Sequence, residues 1–288
     1  MIAHKILILT ILIFISSISV SLSSEDEIVF AISPMASPAS TLANYSEFIE
    51  YLSRKTGTKI ILKQRKKYAE INSLLKSGEA EFALTCTGAY LSGRDEFGLE
   101  ILAVPVINGK TTYNSYIIVK KGSSMEKFDQ LKGKVFAFTD PLSLSGRLYP
   151  LYLLATMEVN HEKFFKKSFY TSSHEKSIES VAYGFADGAS VDSLIFMDMK
   201  RRGHTAIEKV KIIKISPSYG IPPIVISPAT RKTTKQIMLK ALVKMSDDNE
   251  GIKILRKLRI EKFILPNPAI YRNAVLLKNK TRQAIFLP

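Results

Sequence analysis

The sequence predicts an α/β fold of two similar doubly wound lobes joined by two crossing strands. Three observations lead there. Short apolar runs alternate with segments of helical periodicity, the pattern of parallel strands linked by crossover helices. Several local patterns recur 106 residues further on. Two strand-like runs stand where the chain would pass between the halves and return.

The elements follow in order. Ile28-Val29-Phe30-Ala31-Ile32 reads as a buried strand broken by Ser33-Pro34-Met35-Ala36-Ser37-Pro38. Tyr45, Phe48, Ile49 and Leu52 then share one helical face, and Gly57 ends that helix. Lys59–Leu62 is a second strand. Tyr68, Ile71, Leu74 and Leu75 mark a helix ended at Gly78, Glu81–Thr85 is a third strand, and Thr87–Tyr90 opens a further turn or helix. Val135–Phe138 is an apolar run that ends in Thr139-Asp140-Pro141-Leu142-Ser143-Leu144-Ser145-Gly146, with a helical pattern from Arg147. Ser168–Tyr170 is a strand closed by Thr171-Ser172-Ser173-His174-Glu175. A helix with Ile178, Val181, Ala182 and Phe185 on one face follows it. Ala189-Ser190-Val191 leads to Asp192 at a strand end.

The repeat ties these runs together. Val29-Phe30-Ala31 is echoed by Val135-Phe136-Ala137, Gly78 by Gly184 and Ser37 by Ser143, all at one offset of 106. Tyr113–Lys120 is the candidate outward crossing and Pro222–Pro228 the return, giving a two-stranded hinge. The resulting partition is residues 25–114 with 222–288 in the first lobe and 115–221 in the second. The segment from about Thr230 starts helical and is expected to pack back on the first lobe. Ligands of open α/β sheets lie beyond the carboxyl ends of the strands, so two such lobes facing each other define a cleft.

The corner at Ser143, Ser145 and Gly146 has two readings. Ser and Gly before a helix cap it, or they offer free amides and hydroxyls to an anion at a helix N-terminus. The same pair of readings holds for Ser173 and His174. Asp192 either caps the helix from Ser193 or accepts from a ligand amine or hydroxyl.

Composition narrows the function. The chain has 288 residues and 46% hydrophobic content, enough for one large or two medium domains. Net charge is +15 from scattered Lys and Arg, without tryptophan or a nucleic-acid reader motif; the reading is solvated faces on a protein that meets anions. His4, His161, His174 and His204 are not spaced as metal ligands, and no glycine-rich nucleotide loop is present. No cofactor and no metal are expected. The single Cys86 has no partner for a disulfide; it reads as a structural thiol, with a nucleophile paired to His174 as the alternative. Residues 1–24 have the pattern of a signal peptide: Lys5, an apolar Ile6–Ile15 and a small polar stretch. An uncleaved anchor is the alternative.

Asp140-Pro141-Leu142-Ser143-Leu144-Ser145-Gly146 with Tyr149-Pro150 resembles the Asp-Pro-x-Ser-[Ser/Thr]-Ser-Gly corner of the phosphonate-binding proteins of ABC importers. Ser173-His174, Gly184-x-x-Asp187, Val191-Asp192-Ser193 and Pro222-Pro223-Ile224-Val225 follow in that family's order, as do Tyr90, Pro105 and Tyr116. The resemblance spans about residues 28 to 230. It implies a type II periplasmic-binding fold, an exported monomer and a small phosphorus oxyanion or phosphonate held between the lobes. Ser143, Ser145, Gly146, Ser173 and His174 would hold the oxyanion, with Tyr90 on the first-lobe wall and Asp192 near the ligand's other end. An ABC permease would receive the ligand; the alternative is a sensing module for a membrane kinase or cyclase, and an enzyme on this fold is a third reading. No nucleic-acid partner is expected. The sequence departs from the family at Leu144, usually a hydroxyl residue, and at Cys86-Thr87, often Gly-Pro.

Overall fold

The computed structural model describes residues 27–285; the leader expected at 1–24 lies outside them. The chain begins with β1 (Ile28–Ile32), α1 (Pro38–Thr56), β2 (Ile60–Gln64), α2 (Tyr68–Ser77), β3 (Phe82–Leu84), α3 (Thr87–Phe97) and β4 (Glu100–Val106). Ser37 caps α1 by accepting from the Ser40 amide, and Pro38 at the first turn is preset for a helix. The predicted face Phe48, Ile49 and Leu52 is buried, with Phe48 edge-on to Phe30. Each such side chain removed from water contributes about 1.5–3 kcal/mol.

The middle of the chain holds β5 (Thr112–Tyr113), β6 (Ser115–Lys120), β7 (Val135–Phe138), a π-helical turn over Leu144–Leu148, α4 (Tyr149–Thr156), α5 (His161–Phe164) and β8 (Lys167–Tyr170). Then come α6 (His174–Ala182), β9 (Gly188–Asp192), α7 (Ser193–Arg201), α8 (Thr205–Glu208) and β10 (Val210–Ile215). The chain continues with β11 (Tyr219–Gly220), β12 (Ile224–Ile226), α9 (Lys232–Val243), α10 (Asn249–Leu258), β13 (Lys262–Ile264) and α11 (Arg272–Ile285).

Two sheets result, ordered β13-β4-β12-β3-β1-β2 and β10-β6-β9-β7-β8. They share one plan. β1 lies parallel between β2 and β3, and β7 parallel between β8 and β9. Each sheet then takes an antiparallel strand, β12 in the first and β6 in the second. These are the strands that arrive from the other half.

The 106-residue echo is built into hydrogen bonds. The Val29 amide donates to Glu81 Oε2 at 2.8 Å and the Val135 amide to Asp187 Oδ2 at 2.8 Å. Ser37 Oγ accepts from Ser40 N, and Ser143 Oγ from Gly146 N. Gly78 (φ 78°) and Gly184 (φ 83°) make the same left-handed stop before their strands.

Several expectations are corrected. The crossing ribbon is only β5 paired antiparallel with β11. Ser115–Lys120 and Ile224–Ile226 are interior strands of the two sheets, and their apolar character reflects that burial. The helical pattern expected from Arg147 begins inside the π turn, in which Leu148 N bonds to Ser143 O, and α4 starts at Tyr149. Phe185 lies beyond α6 and is 73% exposed. The last segment divides. α9 packs on the first sheet, α10 on α1, and β13 joins the sheet's edge, whereas α11 lies across α4 and the ribbon. It is pinned by Thr281 Oγ1 to Leu148 O and Asn273 Nδ2 to Ser218 O.

Candidate ligand-binding site

The corner after β7 is rigid. Ser143 N donates to Asp140 O at 2.9 Å, and its hydroxyl caps the π turn by accepting from Gly146 N. A Cβ at Gly146 would lie 2.3 Å from Thr139 Oγ1, so the glycine permits this close approach. The Ser145 carbonyl is held from below by the hydroxyls of Ser115, at 2.8 Å, and Ser190. Its main chain is thereby fixed to β6 and β9, and its own Oγ is buried with no hydrogen-bond partner.

His174 opens α6. Its Nδ1 accepts from the Asp192 amide at 3.1 Å and lies 3.1 Å from Thr139 Oγ1. An acceptor at Nδ1 assigns the proton to Nε2. Burial pushes the imidazole down to about 3, so the ring is neutral and Nε2–H is a donor. Nε2 is buried without a partner. Ser173 caps α6 by accepting from Lys176 N at 3.2 Å. Asp192 caps α7, its Oδ1 accepting from Leu194 N at 2.6 Å. Loss of water outweighs those amides and pushes its carboxyl up to about 7.

Two further groups complete the set, and sequence reasoning missed both. Tyr68, the first residue of α2, and Tyr113, in the crossing ribbon, are buried with hydroxyls that have no partner. The Tyr113 hydroxyl faces Thr87 and Ser145. Tyr68 shares with it the neighbourhood of Cys86 and Asp192. Burial raises both phenols far above their usual range, so they stay protonated. Their signal in the sequence is position: one begins the helix after a strand, the other is the first residue of the expected outward crossing.

Ser145 Oγ, His174 Nε2, Tyr68 OH and Tyr113 OH are thus buried neutral donors contributed by both halves, linked through shared neighbours, Asp192 among them. Ser143, Gly146 and Ser173 are beside them as caps and spacers. Tyr90 is not in the group: its ring packs on Tyr271 at 5.3 Å, and its hydroxyl lies beside Arg94. Cys86 is buried at the start of α3, and burial pushes its thiol up to about 11, which keeps it protonated and unreactive. A groove of about 140 Å³ borders Asp192, lined by Ile32, Leu84, Pro105 and Leu194, with Lys257 and Arg259 also on its wall. Among the described residues no group of three His, Cys, Asp or Glu could hold a metal. No helix of these residues is long and apolar enough to cross a membrane.

Two matched α/β lobes on a two-stranded ribbon, closed over buried donors, define a type II solute-binding protein. A profile of the family described as "ABC transporter, phosphonate, periplasmic substrate-binding protein" matches residues 30–271, and the chain belongs to that family. It is therefore a binding component for ABC-type uptake, with a small solute and a membrane permease as its partners and the periplasm as its place. The fold is similar to that of a binding-protein component of an ABC phosphonate transporter from Pseudomonas aeruginosa. There the TM-score is 0.85 at 23% identity, covering 90% of this chain and 87% of that one. It also resembles a Prochlorococcus marinus protein in complex with methylphosphonate, with TM-score 0.79, 17% identity and coverage of 89% and 98%. A Xanthomonas citri protein bound to ATP matches with TM-score 0.72, 13% identity and coverage of 90% and 98%.

Proposed function

We propose that this protein closes on a small phosphonate or related phosphorus oxyanion. The first lobe is built from residues up to 114 together with 222 to about 264, the second from 115–221 with α11 docked on it, and the ligand passes to the permease from a monomer exported by its leader. Four buried, unpartnered, neutral donors from both lobes carry this reading. A buried donor left unsatisfied costs about 1–3 kcal/mol, and four gathered together are matched by a ligand rich in acceptor oxygens. Neutral donors suit an anion that must be released again, because among the described residues no Lys or Arg is buried to hold it. The net charge of +15 adds steering that salt weakens.

Asp192 refines the choice. A buried carboxyl that titrates near 7 accepts either from a protonated ligand oxygen or from an ammonium. Binding of methylphosphonate then weakens as pH rises through about 7, because the ionised Asp192 repels it. Binding of 2-aminoethylphosphonate holds or strengthens over the same range. Calorimetry at pH 6 and pH 8 with these two, phosphate, phosphite and sulfate tests the reading. No heat with any of the phosphorus compounds would remove it. No chemistry is required of the site: the thiol is protonated and the imidazole neutral.

A further inference from the structure

We propose that Glu175 and Asp140 form a two-point clasp that locks the lobes around the ligand, making both of them positioning residues for binding. The proposal rests on the phosphonate reading only for its choice of probe. Each carboxylate leaves the second lobe and enters the start of a first-lobe helix. Glu175 Oε2 accepts from the Ser37 amide at 2.8 Å and from Ser40 Oγ at 3.4 Å, at the head of the 19-residue α1. Asp140 Oδ2 accepts from the Tyr68 amide at 3.1 Å, at the head of the 10-residue α2. Amides at a helix start carry partial positive charge and have no helical acceptor of their own.

Both carboxylates are held from their own side. Arg202 donates to Glu175 Oε1 at 2.7 Å and to Asp198 at 2.8 Å. The Leu142 amide donates to Asp140 Oδ1 at 2.8 Å. Glu175 and Asp140 are 7% and 2% exposed, so water competes weakly for either.

The clasp points coincide with the ligand donors. Asp140 grips the main chain of Tyr68, whose hydroxyl is one of the four. Glu175 follows His174, another of the four, and the His174 amide itself donates across the cleft to Met35 O at 3.1 Å. Closing the clasp therefore brings first-lobe and second-lobe donors into one array. Between the two points the lobes touch directly: a Cβ on Gly88 would sit 2.2 Å from Leu142 O. A ligand that gathers the donors is then retained by contacts that it does not itself make.

The test uses Glu175→Ala, Glu175→Gln and Asp140→Asn in the full chain, with methylphosphonate as probe. Stopped-flow binding is expected to show dissociation about tenfold faster for Glu175→Ala, with association nearly unchanged. Glu175→Gln, which keeps an acceptor but not the charge, falls between. Without ligand, hydrogen exchange at the Ser37 amide rises in the Glu175 variants, and at the Tyr68 amide in Asp140→Asn, while β1 and β7 keep their protection. Unchanged exchange at Ser37 and Tyr68, or a loss confined to association, overturns the clasp. If the wild type ignores every phosphorus oxyanion but the amides respond as stated, the ligand reading has failed and the clasp stands.

Discussion

Replacing Asp192 by asparagine should stabilise the ligand-free protein, and by more at high pH than at low. The carboxyl ordinarily titrates at 3.8 and is pushed up to about 7 by burial. A raised folded value means that the unfolded chain releases its proton first as pH rises. The contribution is fully present below pH 3.8 and lost as pH climbs to about 7. At 1.36 kcal/mol per unit, about 2 kcal/mol is lost by pH 5 and about 4 kcal/mol by pH 8. Asparagine carries no such penalty and still offers Oδ1 to the Leu194 amide, so the cap of α7 survives. The gain from the substitution thus grows by about 2 to 3 kcal/mol between pH 5 and pH 8. At about 2 °C per kcal/mol for a chain this size, that is about 5 °C of extra melting temperature. Circular-dichroism melts of both proteins at the two pH values read it directly. His174 adds its own pH dependence because its folded value is pushed down to about 3, but both proteins share it and it cancels in the difference. A melting difference that is the same at pH 5 and pH 8 would refute the buried, protonated Asp192.

Three more predictions concern the donors and their frame. Tyr68→Phe and Tyr113→Phe should each weaken methylphosphonate binding about tenfold or more by calorimetry. They should leave the ligand-free melt equal or higher, since each removes a buried hydroxyl without a partner. Ser145→Ala should behave the same way, whereas Tyr90→Phe should change affinity little because its ring packs on Tyr271, in the turn before α11. Gly146→Ala should destabilise the fold itself by about 1–3 kcal/mol in urea, because its Cβ meets Thr139 at 2.3–2.5 Å.

Much of this architecture was legible because it is local and periodic. The runs Val29-Phe30-Ala31 and Val135-Phe136-Ala137 announced equivalent strands, and Ser37 and Ser143 announced equivalent caps. The crossing was less legible. The ribbon is two residues on each side, too short for a pattern, while β6 and β12 are apolar because they sit inside sheets. The donors divided by chemistry. Ser145 and His174 stand out as polar residues at a helix start. A tyrosine on an apolar stripe reads as core until its hydroxyl is found without a partner, so Tyr68 and Tyr113 carry no local sign of the role proposed for them. The docking of α11 on α4 depends on residues more than a hundred positions apart, which no local pattern reports.

The repeat also bears on why two equivalent lobes should hold one ligand. Each lobe has a corner in which a serine caps the helix after the first strand, Ser37 in one and Ser143 in the other. A helix start of that kind attracts negative charge in either lobe. In the first lobe that charge is the protein's own, since Glu175 fills the Ser37 corner at 2.8 Å. In the second lobe the corner instead carries Ser145, whose hydroxyl has no acceptor within the protein. The symmetry is broken by one side chain crossing the cleft. One corner is left to recognise a solute while its twin holds the lobes together.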